Sequence, residues 1–437
     1  MCYEVRQQLR MRISAFAVVM VSSCILGHAA IAQESLVPGL QAMAKSSPAD
    51  PSAALALGRA LRRAGHPVPA LAELRRGIGV SAAHPDVLVQ LHWEVARTQI
   101  DRRDFAQAMT ACQVLGKLPG AVAEGHACAA EAHLVWQRST EALNETALAL
   151  AKDPKCYEAK LAEGRAYEFA VDPSKAEASL RAAIALRSDA VEAHVTLGRL
   201  LVRNGRRDEG VSELRQALQM DPNGPDALYE LGVALAPSAE SMAALDHATR
   251  ERPSFSDAWL ALGNQQVASG RLIEARRSGD AALHADSTSV GPYILLGKVA
   301  LADNRPEDAI HAGEAALKLV ANSAPAKLLI ADGNAKKGEL DLALEAYQAA
   351  WGLDHGDPTP LVHAAEACHA GGRDTSARAF GMKAAQEFPK WGPAWAALGD
   401  ALAAQGEKAS ARDAYQKALA GEGPVDKDAV QRKLSKL

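Results

Sequence analysis

Aromatic side chains are scarce in this 437-residue chain: six Phe, six Trp and seven Tyr amount to 4% of it, although 48% of the residues are hydrophobic. Runs of β-branched residues are absent beyond the N-terminal segment, so an all-β fold lacks its usual building material. Net charge is also small. The 48 basic and 52 acidic side chains leave a formal −4, or about −6 without residues 1–32, which carry Arg6, Arg10 and Arg12 against Glu4. A mildly acidic chain argues against nucleic-acid binding, which needs a basic face. No G-x-x-x-x-G-K-[ST], G-x-S-x-G or H-E-x-x-H motif occurs, so nothing supports catalysis and no cofactor is expected. Past the N-terminal segment no apolar run is long enough to span a bilayer.

What the chain does have is a beat. A Leu-Gly pair or a near variant returns every 34 residues: Glu163-Gly164, Leu197-Gly198 and Leu231-Gly232, then, after a shortening of three residues, Leu262-Gly263, Leu296-Gly297, Ile330-Ala331, Ala364-Ala365 and Leu398-Gly399. Counting 191–224 as one unit puts Leu197 and Gly198 at positions 7 and 8, Leu201 at 11, Gly205 at 15, Leu214 at 24, Ala217 at 27 and Pro222 at 32. The unit from 392 repeats the pattern with Trp395, Leu398, Gly399, Leu402, Gly406, Ala411, Tyr415 and Ala418. Small residues let two helix backbones approach, and the large ones fill the remaining gap. Glycine at position 15 suits a left-handed helix cap, and proline at 32 (Pro154, Pro222, Pro253, Pro389) stops the second helix.

The period and its spaced residues resemble the tetratricopeptide repeat (TPR). That resemblance implies an all-α fold, a right-handed superhelical solenoid of helix-turn-helix repeats. Units start at about 51, 89, 123, 157, 191, 225, 256, 290, 324, 358 and 392, eleven in all. The first two are looser, with about four extra residues around His84 and Pro85. The sixth has lost three residues at Ala236-Pro237-Ser238, which predicts a bent or shortened hairpin. One hairpin cannot fold alone: backbone ordering costs roughly 1–2 kcal/mol per residue, more than a dozen buried side chains return at about 1.5–3 kcal/mol each. Stacking makes up the difference, and the ends need caps. Residues 426–437 read as a C-terminal capping helix after a solenoid over 51–425, with Val430, Leu434 and Leu437 inward and Lys427, Arg432, Lys433 and Lys436 outward. Residues 33–50 read as a short leader.

The N-terminus resembles a bacterial secretory signal peptide, residues 1–32. Arg6, Arg10 and Arg12 precede an apolar run from Ile13 to Leu26, and Ala30-Ile31-Ala32 before Gln33 fits a small-x-small cleavage site. Export to the periplasm is the expectation, with Met1 or Met11 as the start. The rival is a lipobox, Val21-Ser22-Ser23-Cys24, in which case a lipidated Cys24 would make the chain an outer-membrane lipoprotein; otherwise no membrane contact is expected. Cleavage after Ala32 leaves Cys112, Cys128, Cys156 and Cys368. Cys112 and Cys128 fall on neighbouring helices of a TPR stack and are read either as a disulfide or as two small buried apolar residues. His126, Cys128 and His133 do not share one helix face, so no metal site is expected. Ala365 stands where a C-x-x-C-H haem motif ending at Cys368-His369 needs cysteine.

In a TPR stack, as the resemblance implies, positions 2, 5, 9 and 12 of the first helices face the inner groove. Position 5 is largely apolar and includes Trp93 and Tyr229. Position 9 reads Arg59, Arg97, Glu131, Arg165, Arg199, Val233, Asn264, Lys298, Asp332, Glu366, Asp400: mostly basic through the eighth unit, then acidic. These residues predict a groove favouring an acidic segment at its N-terminal end and a basic one at its C-terminal end. Arg165 and Arg199 can then be reversed in charge without touching the fold. Carboxylate-clamp TPRs use Lys at 5 and Asn at 9, and only Asn264 matches. The function expected is a non-catalytic scaffold for a protein or peptide partner in a cell-envelope assembly. The alternatives are an outer-membrane lipoprotein acting as a pilotin or assembly factor for a pilus, motility or secretion machine, and a polysaccharide-export TPR subunit.

Overall fold

In the computed structural model, residues 33–187 and 189–437 are described. The expected signal peptide and the lipobox at Cys24 lie outside that range. The chain divides into two compact units, Met1–Ala258 and Trp259–Leu437. In the first, α1 (Gln33–Ser46) precedes six hairpins: α2 (Pro51–Arg63) with α3 (Pro67–Val80), α4 (Pro85–Asp101) with α5 (Phe105–Gly116), α6 (Val122–Val135) with α7 (Ser139–Lys152), α8 (Tyr157–Phe169) with α9 (Pro173–Leu186), α10 (Val191–Arg203) with α11 (Arg207–Met220), and α12 (Pro225–Ala234) with α13 (Ala239–Glu251). Five more follow: α14 (Ser256–Ala268) with α15 (Leu272–Ala285), α16 (Gly291–Ala302) with α17 (Pro306–Leu319), α18 (Ala324–Lys337) with α19 (Leu340–Leu353), α20 (Thr359–Ala370) with α21 (Asp374–Glu387), and α22 (Gly392–Ala404) with α23 (Lys408–Ala420). The last helix is α24 (Lys427–Leu434).

Size complementarity within a hairpin sets the packing. A Cβ added to Gly198 would lie 2.6 Å from Leu214 Cγ, and Leu214 is fully buried, so position 8 is empty because position 24 fills it. The shortened sixth hairpin keeps the same partnership between Gly232 and Leu245, now 13 residues apart rather than 16. Its missing residues come out of α12, which has only 10 residues.

Three segments depart from the sequence reading. The presumed leader is helical: Val37 and Ala44 of α1 are buried against Leu57, Ala60 and Leu61 of α2, so the segment covers the first hairpin's open face. The extra residues at Pro85 go into α4, which runs to 17 residues. At the other end, Val430 of α24 is buried and Leu434 and Leu437 pack with it, while Lys433 is exposed as expected but not free: its Nζ lies 2.7 Å from Asp400 Oδ2.

Ten of the eleven hairpins turn through a left-handed residue at position 15. Six of these are glycines, among them Gly205 at φ 80°; the others are Arg103, Gln137, Val171 and Asn304. Within each unit the first helices of successive hairpins touch one another, as α2 with α4, α6 with α8 and α20 with α22, while the second helices make no comparable contact. Curvature with first helices inside and second helices outside follows.

Candidate interaction groove

On the inner face of the first unit the position-9 side chains form a ladder, since 34 residues of sequence are one step along the stack. Arg97 Nε lies 3.4 Å from Glu131 Oε2, and Glu131 Oε1 lies 3.3 Å from Arg165 Nη1. Arg199 pairs at 2.9 Å with Glu168, at position 12 of the preceding hairpin, and at 3.6 Å with Glu230 of the next. Glu94, almost fully buried, accepts from Arg59 at 2.8 Å and from Arg62 at 3.0 Å. One contact leaves the ladder. Both oxygens of Glu192, in the fifth hairpin, accept from Arg97 in the second, at 3.0 and 2.9 Å, and Arg165 stands 3.7 Å from the same carboxylate.

Arg165 and Arg199 are therefore ion-pair partners rather than free cations. Reversing either sets carboxylate against carboxylate, and the fold is not a bystander to that change. Burial pushes the Glu192 carboxyl up, but the Arg97 and Arg165 guanidinium groups outweigh it and hold it well below the ordinary carboxylate range. The aromatic positions are also engaged: Trp93 packs into two core clusters with Arg97 at 5.8 Å from its ring, and Tyr229 sits 4.9 Å from Phe255.

The second unit presents a different face. Asn264 Nδ2 donates to Leu260 O of its own helix at 2.8 Å. Lys298 is exposed with no side-chain partner among the described residues. Asp332 accepts from Tyr347 Oη at 2.7 Å and lies 2.8 Å from His363 Nδ1. Asp400 accepts from Tyr415 Oη at 2.8 Å and from Lys433. Glu366, between them in the repeat register, is exposed and has no hydrogen-bond or ion-pair partner among the described residues. Partial desolvation on the inner face is the largest influence and pushes its carboxyl up; the His363 charge draws it down, and the Asp400 and Asp332 charges raise it again against the smaller pull of Lys433.

Sequence reading at position 9 alone missed Glu94, Glu168, Glu192, His363 and Lys433. Two of them were accessible to it, because Glu192 and Glu168 occupy positions 2 and 12 of the same inner face. Cys112 of α5 and Cys128 of α6 are joined in a disulfide with Cα atoms 5.4 Å apart, which ties the second hairpin to the third. Cys156 and Cys368 are free and buried, and burial pushes the Cys156 thiol up to about 12. His126 Nδ1 lies 2.7 Å from Glu145 and His133 packs edge-on to Phe105, so these histidines do not converge with Cys128.

Comparison with known proteins agrees with this architecture. The family model of the Tetratricopeptide repeat matches residues 161–206, 195–243, 294–358 and 392–427. Tetratricopeptide repeat protein 33 of Xenopus laevis is 32% identical over 91 residues, covering 20% of this chain and 35% of its own; the chain spans about a third of the length of that curated relative. Among solved structures, yeast Tom70 is similar at 13% identity and a TM-score of 0.48, over 88% of this chain and 95% of its own. PilW, a type IV pilus biogenesis factor, is similar at 21% identity and a TM-score of 0.43, over 47% of this chain and 97% of its own. With the 34-residue register, the stacked hairpins and the matched segments in agreement, the chain carries tetratricopeptide repeats over the matched segments and the same hairpin architecture between them.

Proposed function

We propose that this chain is a non-catalytic protein-interaction scaffold, exported to the periplasm, that holds extended partner segments along its inner faces within a cell-envelope assembly. The observation that carries this is Glu366: an exposed inner-face carboxylate with carboxylates one repeat away on either side and no ion pair or hydrogen bond among the described residues. An isolated Lys or Arg side chain of a partner supplies what the fold withholds, and the partly exposed Leu328 at position 5 adds apolar contact area. The second unit thus favours a basic segment.

A fluorescent oligolysine peptide tests this. Binding to the full chain that weakens with salt and is lost in Glu366→Lys is the expected result; binding that Glu366→Lys leaves unchanged overturns it. Export rests on Arg6, Arg10 and Arg12, the apolar run after them and the Ala30-Ile31-Ala32 site. The mature N-terminus, read by mass spectrometry, is expected to be Gln33. A diacylglyceryl group on Cys24 would instead make the chain an outer-membrane lipoprotein.

A further inference from the structure

We infer that Glu192 is a built-in occupant of a carboxylate-binding subsite on the inner face of the first unit, holding that groove shut until an acidic partner segment replaces it. This rests on reading the inner face as a partner groove. The other inner-face ion pairs described in this unit join hairpins in immediate succession, as Arg97–Glu131, Glu131–Arg165 and Arg199–Glu230 do. The Arg97–Glu192 fork instead skips from the second hairpin to the fifth. A ladder pair follows the curvature of the stack, whereas this one ties across it.

The two carboxylates that Arg97 and Arg165 share are not equivalent. Glu131 belongs to the ladder and its side chain is 18% exposed; Glu192 comes from outside the ladder and is 41% exposed. A second carboxylate arriving from solvent can take the place of Glu192 without unpairing Glu131. Two-point acceptance from a guanidinium is geometry that any Asp or Glu side chain can reproduce. Arg63 of the first hairpin, exposed and with no ion-pair partner among the described residues, adds its positive field toward the same point. The chemistry selected is therefore an acidic peptide segment, and Glu192 competes with it.

The test uses the full chain spin-labelled at Arg102→Cys and Asn204→Cys, exposed sites at the ends of α4 and α10. Cys156 and Cys368 are buried and Cys112 and Cys128 are disulfide-bonded, so these do not compete for the label; Cys2 and Cys24 are replaced by Ser. Glu192→Gln is expected to lengthen and broaden the distance between the labels with helicity unchanged, and to bind an oligoglutamate peptide about tenfold more tightly than the parent. Adding Arg97→Gln is expected to abolish that gain. An unchanged distance in folded Glu192→Gln overturns the clasp. A longer distance with no tighter oligoglutamate binding overturns the occupancy. Failure of the oligolysine experiment at Glu366 sinks the broader groove reading in the second unit and leaves both measurements here unaffected.

Discussion

Val171 is the residue whose replacement should most clearly stabilise the chain. It occupies the left-handed turn of the fourth hairpin at φ 57°, the place held by Gly205 in the next hairpin. Its side chain is 85% exposed, so trimming it forfeits almost no burial. The conformation is imposed from both sides: Val171 N–H donates to Glu168 O at 3.2 Å and Asp172 N–H to Tyr167 O at 2.9 Å, the same pair of bonds that Gly205 and Arg206 make. An L-residue in this region costs roughly 1–2 kcal/mol, and a β-branched one is the least suited to it. Glycine removes that strain but loses about 0.5–1 kcal/mol of chain freedom on folding. Val171→Gly is therefore expected to stabilise the fourth hairpin by about 1 kcal/mol, a roughly fivefold drop in its local opening constant. A long repeat stack does not unfold as one unit, so the readout is native-state hydrogen exchange of the α8 and α9 amides. Gly205→Val, the mirror change one hairpin on, should lower protection in α10 and α11. Unchanged or reduced protection in Val171→Gly would refute the strain assignment.

Gly198→Val should destabilise by about 1–3 kcal/mol, because the new side chain meets Leu214 and, 3.0 Å away, the Gly210 carbonyl; thermal melting checks this, and added Leu214→Ala should recover only part of the loss. Reducing the Cys112–Cys128 bond, which closes a 16-residue separation, should cost roughly 3 kcal/mol, seen as lost exchange protection confined to the second and third hairpins. His363 responds to pH. Burial lowers its affinity for a proton, but Asp332 more than compensates, so the folded value lies above the ordinary 6.5. A raised histidine contributes stability that is complete below the unfolded value and is lost as pH rises through the folded one. Melting of the ninth and tenth hairpins should therefore fall across that window in the parent and stay flat in His363→Gln; parallel curves would count against the ion pair.

Hairpin positions were legible because packing at 7, 8, 24 and 27 depends on side-chain volume, and volume is read directly from residue type. The turn at position 15 was legible only where it holds glycine. At Arg103, Gln137 and Val171 the same backbone is imposed by the helices on either side and no residue preference reveals it, whereas Asn304 carries the weaker left-handed preference of asparagine. Helix α1 was missed because Val37, Leu40 and Ala44 make one apolar stripe too short to stand out, and only docking on α2 gives it a purpose. The charge series posed a different difficulty. Sequence showed which side chains share the inner face, but whether a charge there is free depends on a counter-charge that reaches it from another hairpin. Arg97 and Glu192 are 95 residues apart, and no local spacing announces that pair.

Glu366 shows how much of that neutralisation can still be traced to residue types. A satisfied position-9 acid in the second unit draws on two donors. Asp332 and Asp400 each receive a tyrosine hydroxyl from position 24 of their own hairpin, Tyr347 and Tyr415, and a nitrogen from the next helix, His363 and Lys433. The tenth hairpin has Gly381 at position 24, closed against the Leu398 backbone, so no hydroxyl reaches Glu366. Its ladder neighbours on both sides are acids. A carboxyl whose folded value is raised binds its proton more tightly in the native state, so stability falls as pH rises from 4.5 through that folded value. At neutral pH the charge works against the fold. Glu366→Gln should then raise the melting temperature of the second unit while weakening oligolysine binding, two effects of opposite sign from one substitution. A structural carboxylate gives the opposite pattern, a lower melting temperature with binding intact, and that result would remove Glu366 from the groove's chemistry.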